Sequence, residues 1–116
     1  MRELNLPHQE PILFAKHVIE TEGDTNSVKV EFDTIPSLAM IVEAAAQSSA
    51  AFDKGEDKMG YLVTLKNIKL LEKPSSLEYI VKVTSEQQID ALTYFTFETY
   101  DKELIVATGT FIIALQ

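Results

Sequence analysis

The stretch IPSLAMIVEAAAQSSAAF, residues 35–52, decides the fold, because it predicts a helix that is apolar on nearly all sides. From residue 38 to residue 51, only Glu43, Gln47 and two serines interrupt the apolar run. A helix without a wide polar stripe is one that the rest of the domain surrounds. We therefore expect a buried helix with a single carboxylate, Glu43, shielded from water at its centre.

The lone carboxylate of Glu43 is the first candidate for chemistry. Burial favours the uncharged form of a carboxyl group, which suits proton transfer near neutral pH. Buried charged side chains without a partner are rare in proteins. The sequence leaves a second interpretation open, in which Glu43 is catalytically silent and bonded to Gln47, four residues later.

Length and composition predict one domain spanning residues 1–116, with 46% hydrophobic residues and no linker that divides the chain. A net charge of -8, with ten basic residues scattered among eighteen acids, argues against nucleic-acid binding. No apolar stretch is long enough to span a membrane, and the opening MRELNLPHQE lacks the apolar segment of a signal peptide. The chain contains no cysteine, which is compatible with a reducing compartment. We expect a soluble, cytoplasmic protein.

Six segments have the residue content or the alternation of β-strands. They cover residues 12–22, 27–32, 61–71, 77–88, 91–100 and 103–115. Pro36 is expected to open the helix, since a proline in the first turn loses no hydrogen bond. The charged loop at residues 53–58 is expected to end it. Two strands, a helix and four long strands predict an α+β fold, with an antiparallel six-stranded sheet wrapped around one long central helix.

Two motifs carry a resemblance to a known family. Residues 6–13, LPHQEPIL, are similar to Leu-Pro-His-Arg-x-Pro-Phe-Leu, and residues 36–47 resemble Pro-Gly-Val followed by Leu-Glu-Ala-x-Ala-Gln. With the order of the elements, these motifs resemble the hot-dog fold of 3-hydroxyacyl-[acyl-carrier-protein] dehydratases over nearly the whole chain. In that family the helix glutamate is catalytic, so the resemblance implies a catalytic Glu43.

The sequence departs from the family at its catalytic histidine. A His-Phe-Pro-Gly segment normally precedes the helix, whereas residues 30–36 here contain no histidine. This shortened form resembles dehydratase-like proteins of aryl-polyene-type lipid pathways, which implies a second hot-dog subunit that supplies the histidine. His8 is a weak alternative, because it matches a residue that the dehydratases keep in addition to the catalytic one. His17 lies within a strand.

Several residues around Glu43 are predicted to bind the substrate. Backbone N–H groups near Ser37 and Leu38, at the start of the helix, can polarise a thioester carbonyl. Met40, Ala44 and Gln47 share the face of Glu43 at helical spacing, so a bound acyl chain would run past them. Two histidines without ligand spacing give no support for a metal, and no cofactor is expected.

These observations predict a dehydratase-like protein that acts on acyl thioesters carried by acyl carrier protein or coenzyme A, in fatty-acid or polyene-type lipid synthesis. One alternative is a thioesterase that uses the helix carboxylate alone. Another is a binding or scaffolding subunit without turnover. A dimer or higher oligomer is expected, with sheets joined edge to edge. The sequence does not distinguish a homo-oligomer from a hetero-oligomer. It also leaves open the acyl chain, its carrier and whether the chain is active alone.

Overall fold

The computed structural model describes residues 2–3, 14–49 and 60–115, which form seven strands and one helix. In chain order these are β1 (Arg2–Glu3), β2 (Ala15–Glu22), β3 (Thr25–Glu31), α1 (Leu38–Ser48), β4 (Gly60–Leu70), β5 (Glu78–Ile89), β6 (Leu92–Asp101) and β7 (Leu104–Leu115). The six predicted strands are all present. The additional strand, β1, has two residues and pairs with β2.

All strands belong to one antiparallel sheet with the order β1-β2-β3-β5-β6-β7-β4. Tight turns join β2 to β3, β5 to β6 and β6 to β7. Gly23, Asp90 and Lys102 adopt a positive φ in these turns, the conformation that lets a short loop follow the twist of its strands. Helix α1 lies between β3 and β4 in the chain, and β4 lies at the edge of the sheet opposite β1.

Helix α1 begins two residues later than predicted. Pro36 lies outside the helix, and Ser37 is the N-cap, with an extended backbone and a side-chain oxygen that accepts from the Met40 N–H at 3.2 Å. The cap decides the start, because a serine hydroxyl satisfies a backbone N–H that the helix leaves unpaired. The helix ends at Ser48, and Ser49 is its C-cap. The predicted continuation over residues 50–52 lies outside the described residues.

The core lies between α1 and one face of the sheet. Val28, Val81, Thr99 and Ala107 form a fully buried row across four neighbouring strands. Apolar helix residues complete this core: Ile41, Val42, Ala44 and Ala45. The principal contacts of α1 are with β5, β2, β6 and β7, so the helix packs towards the middle of the sheet. No helix in the described part of the chain is long and apolar enough to cross a membrane.

Candidate active site

Glu43 lies in the middle of α1 and is half-buried, rather than fully shielded as the sequence predicts. It shares the least covered side of the helix with Ala39, which is exposed, and Ala46, which is half-buried. We call these three residues the alanine stripe. The sequence does not reveal this stripe, because alanine reads as apolar wherever it lies. Glu43 is thus the only polar residue of the stripe. The alanine side chains beside it are small, so another molecule can approach the helix closely here.

Gln47 connects Glu43 to the start of β2. Its side chain is only 3% exposed, and its Oε1 accepts from the backbone N–H groups of Phe14 at 2.8 Å and Ala15 at 3.1 Å. Its Nε2 donates to Glu43 Oε1 at 3.4 Å. The Glu-x-x-x-Gln spacing predicts the contact within the helix. The bonds to β2 join residues more than 30 positions apart, so no local pattern reveals them.

The other predicted site residues divide into an accessible group and a buried one. Ser37 is exposed, and Leu38 and Met40 are half-buried. Ser37 caps the helix, and Leu38 and Met40 lie in its first turn, where backbone N–H groups lack acceptors within the helix. Ala44 is fully buried in the core. Among these predicted substrate-binding residues, a ligand can therefore reach Ser37, Leu38 and Met40, but not Ala44.

The histidines do not add a second group beside Glu43 in the described residues. His8 lies outside them. His17 lies on β2 opposite Lys29, and the next pair, Val18 with Val28, is buried in the core. Successive strand residues point to opposite faces, so His17 lies on the face of the sheet away from the helix. Within the same described ranges, no cluster of histidine, aspartate and glutamate side chains could hold a metal ion.

Two open grooves of about 460 and 590 Å³ lie on the sheet and its loops. The smaller crosses β4 to β7 and the larger lies beside Ser76, Tyr79 and Asp101. Neither groove includes a helix residue. A ligand would instead approach Glu43 across the alanine stripe, because this side of the helix is partly exposed in the chain.

No protein-family model matches the chain, and no curated protein matches it. Among solved structures it is similar to the dehydratase heterocomplex ApeI:P from Xenorhabdus doucetiae (TM-score 0.69, 14% identity, covering 96% of this chain and 88% of that one). It is also similar to an HP0420 homologue from Helicobacter felis (TM-score 0.70, 18% identity, 95% and 82%). A third is a putative thioesterase, a phenylacetic acid degradation-related protein from Ralstonia eutropha JMP134 (TM-score 0.67, 12% identity, 84% and 83%).

These similarities establish the fold. The chain has the hot-dog fold, and its structural relatives include a dehydratase complex and thioesterases. The resemblance that the sequence motifs indicate is therefore confirmed at the level of architecture.

Proposed function

We propose that the chain is a single hot-dog domain, residues 1–116, that handles acyl thioesters as a dehydratase-like subunit with Glu43 as its acid–base residue. The observation that carries this proposal is the Glu43 carboxylate, held by Gln47 and half-buried on a stripe of alanines. Acyl carrier protein or coenzyme A would carry the substrate. We place the activity in the cytoplasm, in fatty-acid or polyene-type lipid synthesis.

Dehydration of a 3-hydroxyacyl thioester removes a proton from the α-carbon and expels the β-hydroxyl as water. Glu43 supplies one of these two proton transfers. The helix N-terminus near Ser37 and Leu38 stabilises the charge that develops on the thioester oxygen. In this proposal Met40 lines the acyl chain, whereas the buried Ala44 and Gln47 support this part of the helix from beneath without contacting the chain.

The second proton transfer requires another group, which we assign to a partner chain. A solved structure with the same fold is a heterocomplex of a dehydratase, which supports an assembly of unlike hot-dog subunits. Strand β4 supports association as well, because this edge strand leaves Val63 54% and Leu65 46% exposed. An edge with unpaired backbone groups and apolar side chains favours pairing with another sheet. His8 is the alternative source of the second group.

A thioesterase is the second candidate function, and the described site supports it specifically. Hydrolysis needs one carboxylate to activate water or attack the acyl carbon, together with a donor for the oxyanion. Glu43 and the helix N-terminus meet that requirement without a histidine. Structural relatives of this chain include thioesterases. In a third interpretation the chain is a scaffolding subunit, and Glu43 is dispensable.

Product analysis separates the three functions. The purified chain is incubated with 3-hydroxyacyl and saturated acyl thioesters, alone and with a hot-dog subunit encoded beside it. Enoyl thioester supports the dehydratase, whereas free thiol without enoyl product supports the thioesterase. Neither product under either condition supports scaffolding and rejects the catalytic proposal. Formation of enoyl product only in the mixture assigns the second group to the partner, and a His8→Gln variant tests the alternative.

A further inference from the structure

The side-chain amide of Gln47 has one permitted orientation. Its oxygen accepts from two backbone N–H groups, those of Phe14 and Ala15. If the amide were turned over, its NH₂ group would face these two donors, and a buried donor without an acceptor is costly. The nitrogen therefore faces away from β2, and it donates to Glu43 Oε1.

The segment of chain that holds Gln47 is itself fixed. The Phe14 carbonyl accepts from the Glu31 N–H at 2.9 Å, so the backbone at this point bonds to β3 as well as to Gln47. The Phe14 ring is buried and packs on the Phe32 ring, with 4.8 Å between the centroids. An anchored backbone thus fixes the amide, and the amide contacts the carboxylate.

We infer that Gln47 is the positioning residue of the Glu43 site, which rests on the function proposed above, and that it fixes the carboxylate relative to β2 without contacting the acyl chain. Its burial and its two bonds to β2 leave its oxygen engaged by the protein. Precise placement of a reacting group matters, because an error of about 1 Å costs on the order of 100-fold in rate.

Two substitutions separate this positioning role from a purely structural one. Gln47→Glu keeps an oxygen for the Phe14 and Ala15 N–H groups and removes the donor towards Glu43. Gln47→Leu removes both. Ser48→Ala is the matched control, because Ser48 is also buried and its Oγ donates to the Ala44 carbonyl at 2.7 Å, within the helix. This control loses a buried hydrogen bond one residue away without changing the Glu43 contact.

The direct readout is the carboxyl ¹³C resonance of Glu43 followed by NMR as a function of pH, assigned by its loss in Glu43→Gln. The wild type and Ser48→Ala should give the same titration curve. Gln47→Glu should give two coupled steps, because two carboxyl groups in contact share a proton before both ionise. A Gln47→Glu curve for Glu43 that coincides with the wild-type curve would overturn the inference.

Kinetics supply a second readout that is independent of the titration. Gln47→Leu should lower kcat for thioester turnover by about 10- to 100-fold with KM unchanged, while Ser48→Ala retains wild-type kcat. A raised KM with unchanged kcat would instead assign Gln47 to substrate binding and overturn the inference. Full turnover by Glu43→Gln would reject the proposed function, whereas the NMR titration would still decide whether Gln47 positions Glu43.

Discussion

At the scale of single residues, Gly109 on β7 is required by its neighbours rather than by its backbone. A β-carbon at this position would collide with Ile68 Cδ1 and lie 2.8 Å from a ring carbon of Phe97. Ile68 reaches this space because β4 has a register shift between Lys66 and Lys69, where Asn67 adopts a positive φ of 53°. Gly109 on β7 therefore leaves room for the Ile68 side chain, which the irregularity in β4 places against it.

Gly109→Ala should lower the free energy of unfolding by about 1–3 kcal/mol, because the added methyl group would force the Ile68 and Phe97 side chains from their preferred rotamers. Urea denaturation measures this cost. Ile68→Val deletes the Cδ1 atom that lies in the way, so Gly109→Ala should cost less in that background, with an interaction energy above about 0.5 kcal/mol.

Gly23→Ala is the comparison for Gly109→Ala. Gly23 has a φ of 59°, and no atom lies within 4 Å of the position that a β-carbon would take there, so its substitution costs only backbone strain. Its cost should not respond to Ile68→Val. An equal cost of Gly109→Ala with and without Ile68→Val would contradict the packing explanation.

The site residues show what sequence reasoning can reach at this scale. Glu43 and Gln47 are recognisable as a helical pair, because their spacing is local. The half-buried state of Glu43 is not recognisable, because it depends on which elements α1 packs against. The bonds from Gln47 to Phe14 and Ala15 depend on the meeting of a helix and a distant strand.

At the scale of elements, β6 carries a tyrosine whose ionisation responds to folding. Burial raises the pKa of the Tyr100 phenol above its ordinary value of 10.0, and the negative charge and hydrogen bond of Glu98 raise it further. Lys82 Nζ lies 5.2 Å from the centre of the Tyr100 ring. A phenol whose pKa is raised in the folded state adds stability below its ordinary pKa, and that stability is lost as pH rises through the folded pKa.

Glu98→Gln should therefore lower the pKa of Tyr100 towards its ordinary value, leaving the contribution of burial. Tyrosinate absorbance measures the titration, and its loss in Tyr100→Phe identifies the transition. Glu86→Gln is the matched control, because Glu86 bonds to Thr96 on the same pair of strands. An unchanged Tyr100 titration in Glu98→Gln, or an equal shift in Glu86→Gln, would contradict the assignment.

The elements themselves were largely predictable. Alternating apolar residues locate the strands, since the period of two is a direct consequence of strand geometry. The start of α1 was misplaced because proline and serine both favour helix starts, and the hydrogen bond from Met40 to Ser37 decides between them. The pairing of β7 with β4 at the edge is a tertiary choice that no single strand encodes.

At the scale of the whole molecule, the exposed apolar residues of edge strand β4 indicate how the chain should associate. Leu65 on β4 pairs with the buried Phe111 on β7, so the apolar face of the sheet continues to the edge. We expect an antiparallel junction between β4 strands of two subunits, which would continue this apolar face from one chain to the next.

Leu65→Lys should abolish this association by placing a charge in the junction, and sedimentation velocity should then show monomer. Ile19→Lys is the matched control, because the charge change is the same and Ile19 is 44% exposed on β2. That strand lies next to β1, at the edge of the sheet opposite β4. The control should keep the wild-type sedimentation coefficient. An oligomer that survives Leu65→Lys, or one that dissociates equally in Ile19→Lys, would exclude β4 as the junction.

The central claim is that Glu43 performs acid–base chemistry on an acyl thioester, and the most direct measurement compares the turnover of wild type and Glu43→Gln. The comparison uses the same thioesters and the same partner subunit, with circular dichroism to show that both proteins are folded. We predict that Glu43→Gln lowers kcat by about 10²- to 10⁴-fold, the usual contribution of an acid–base group. Equal turnover by the two folded proteins would contradict the claim.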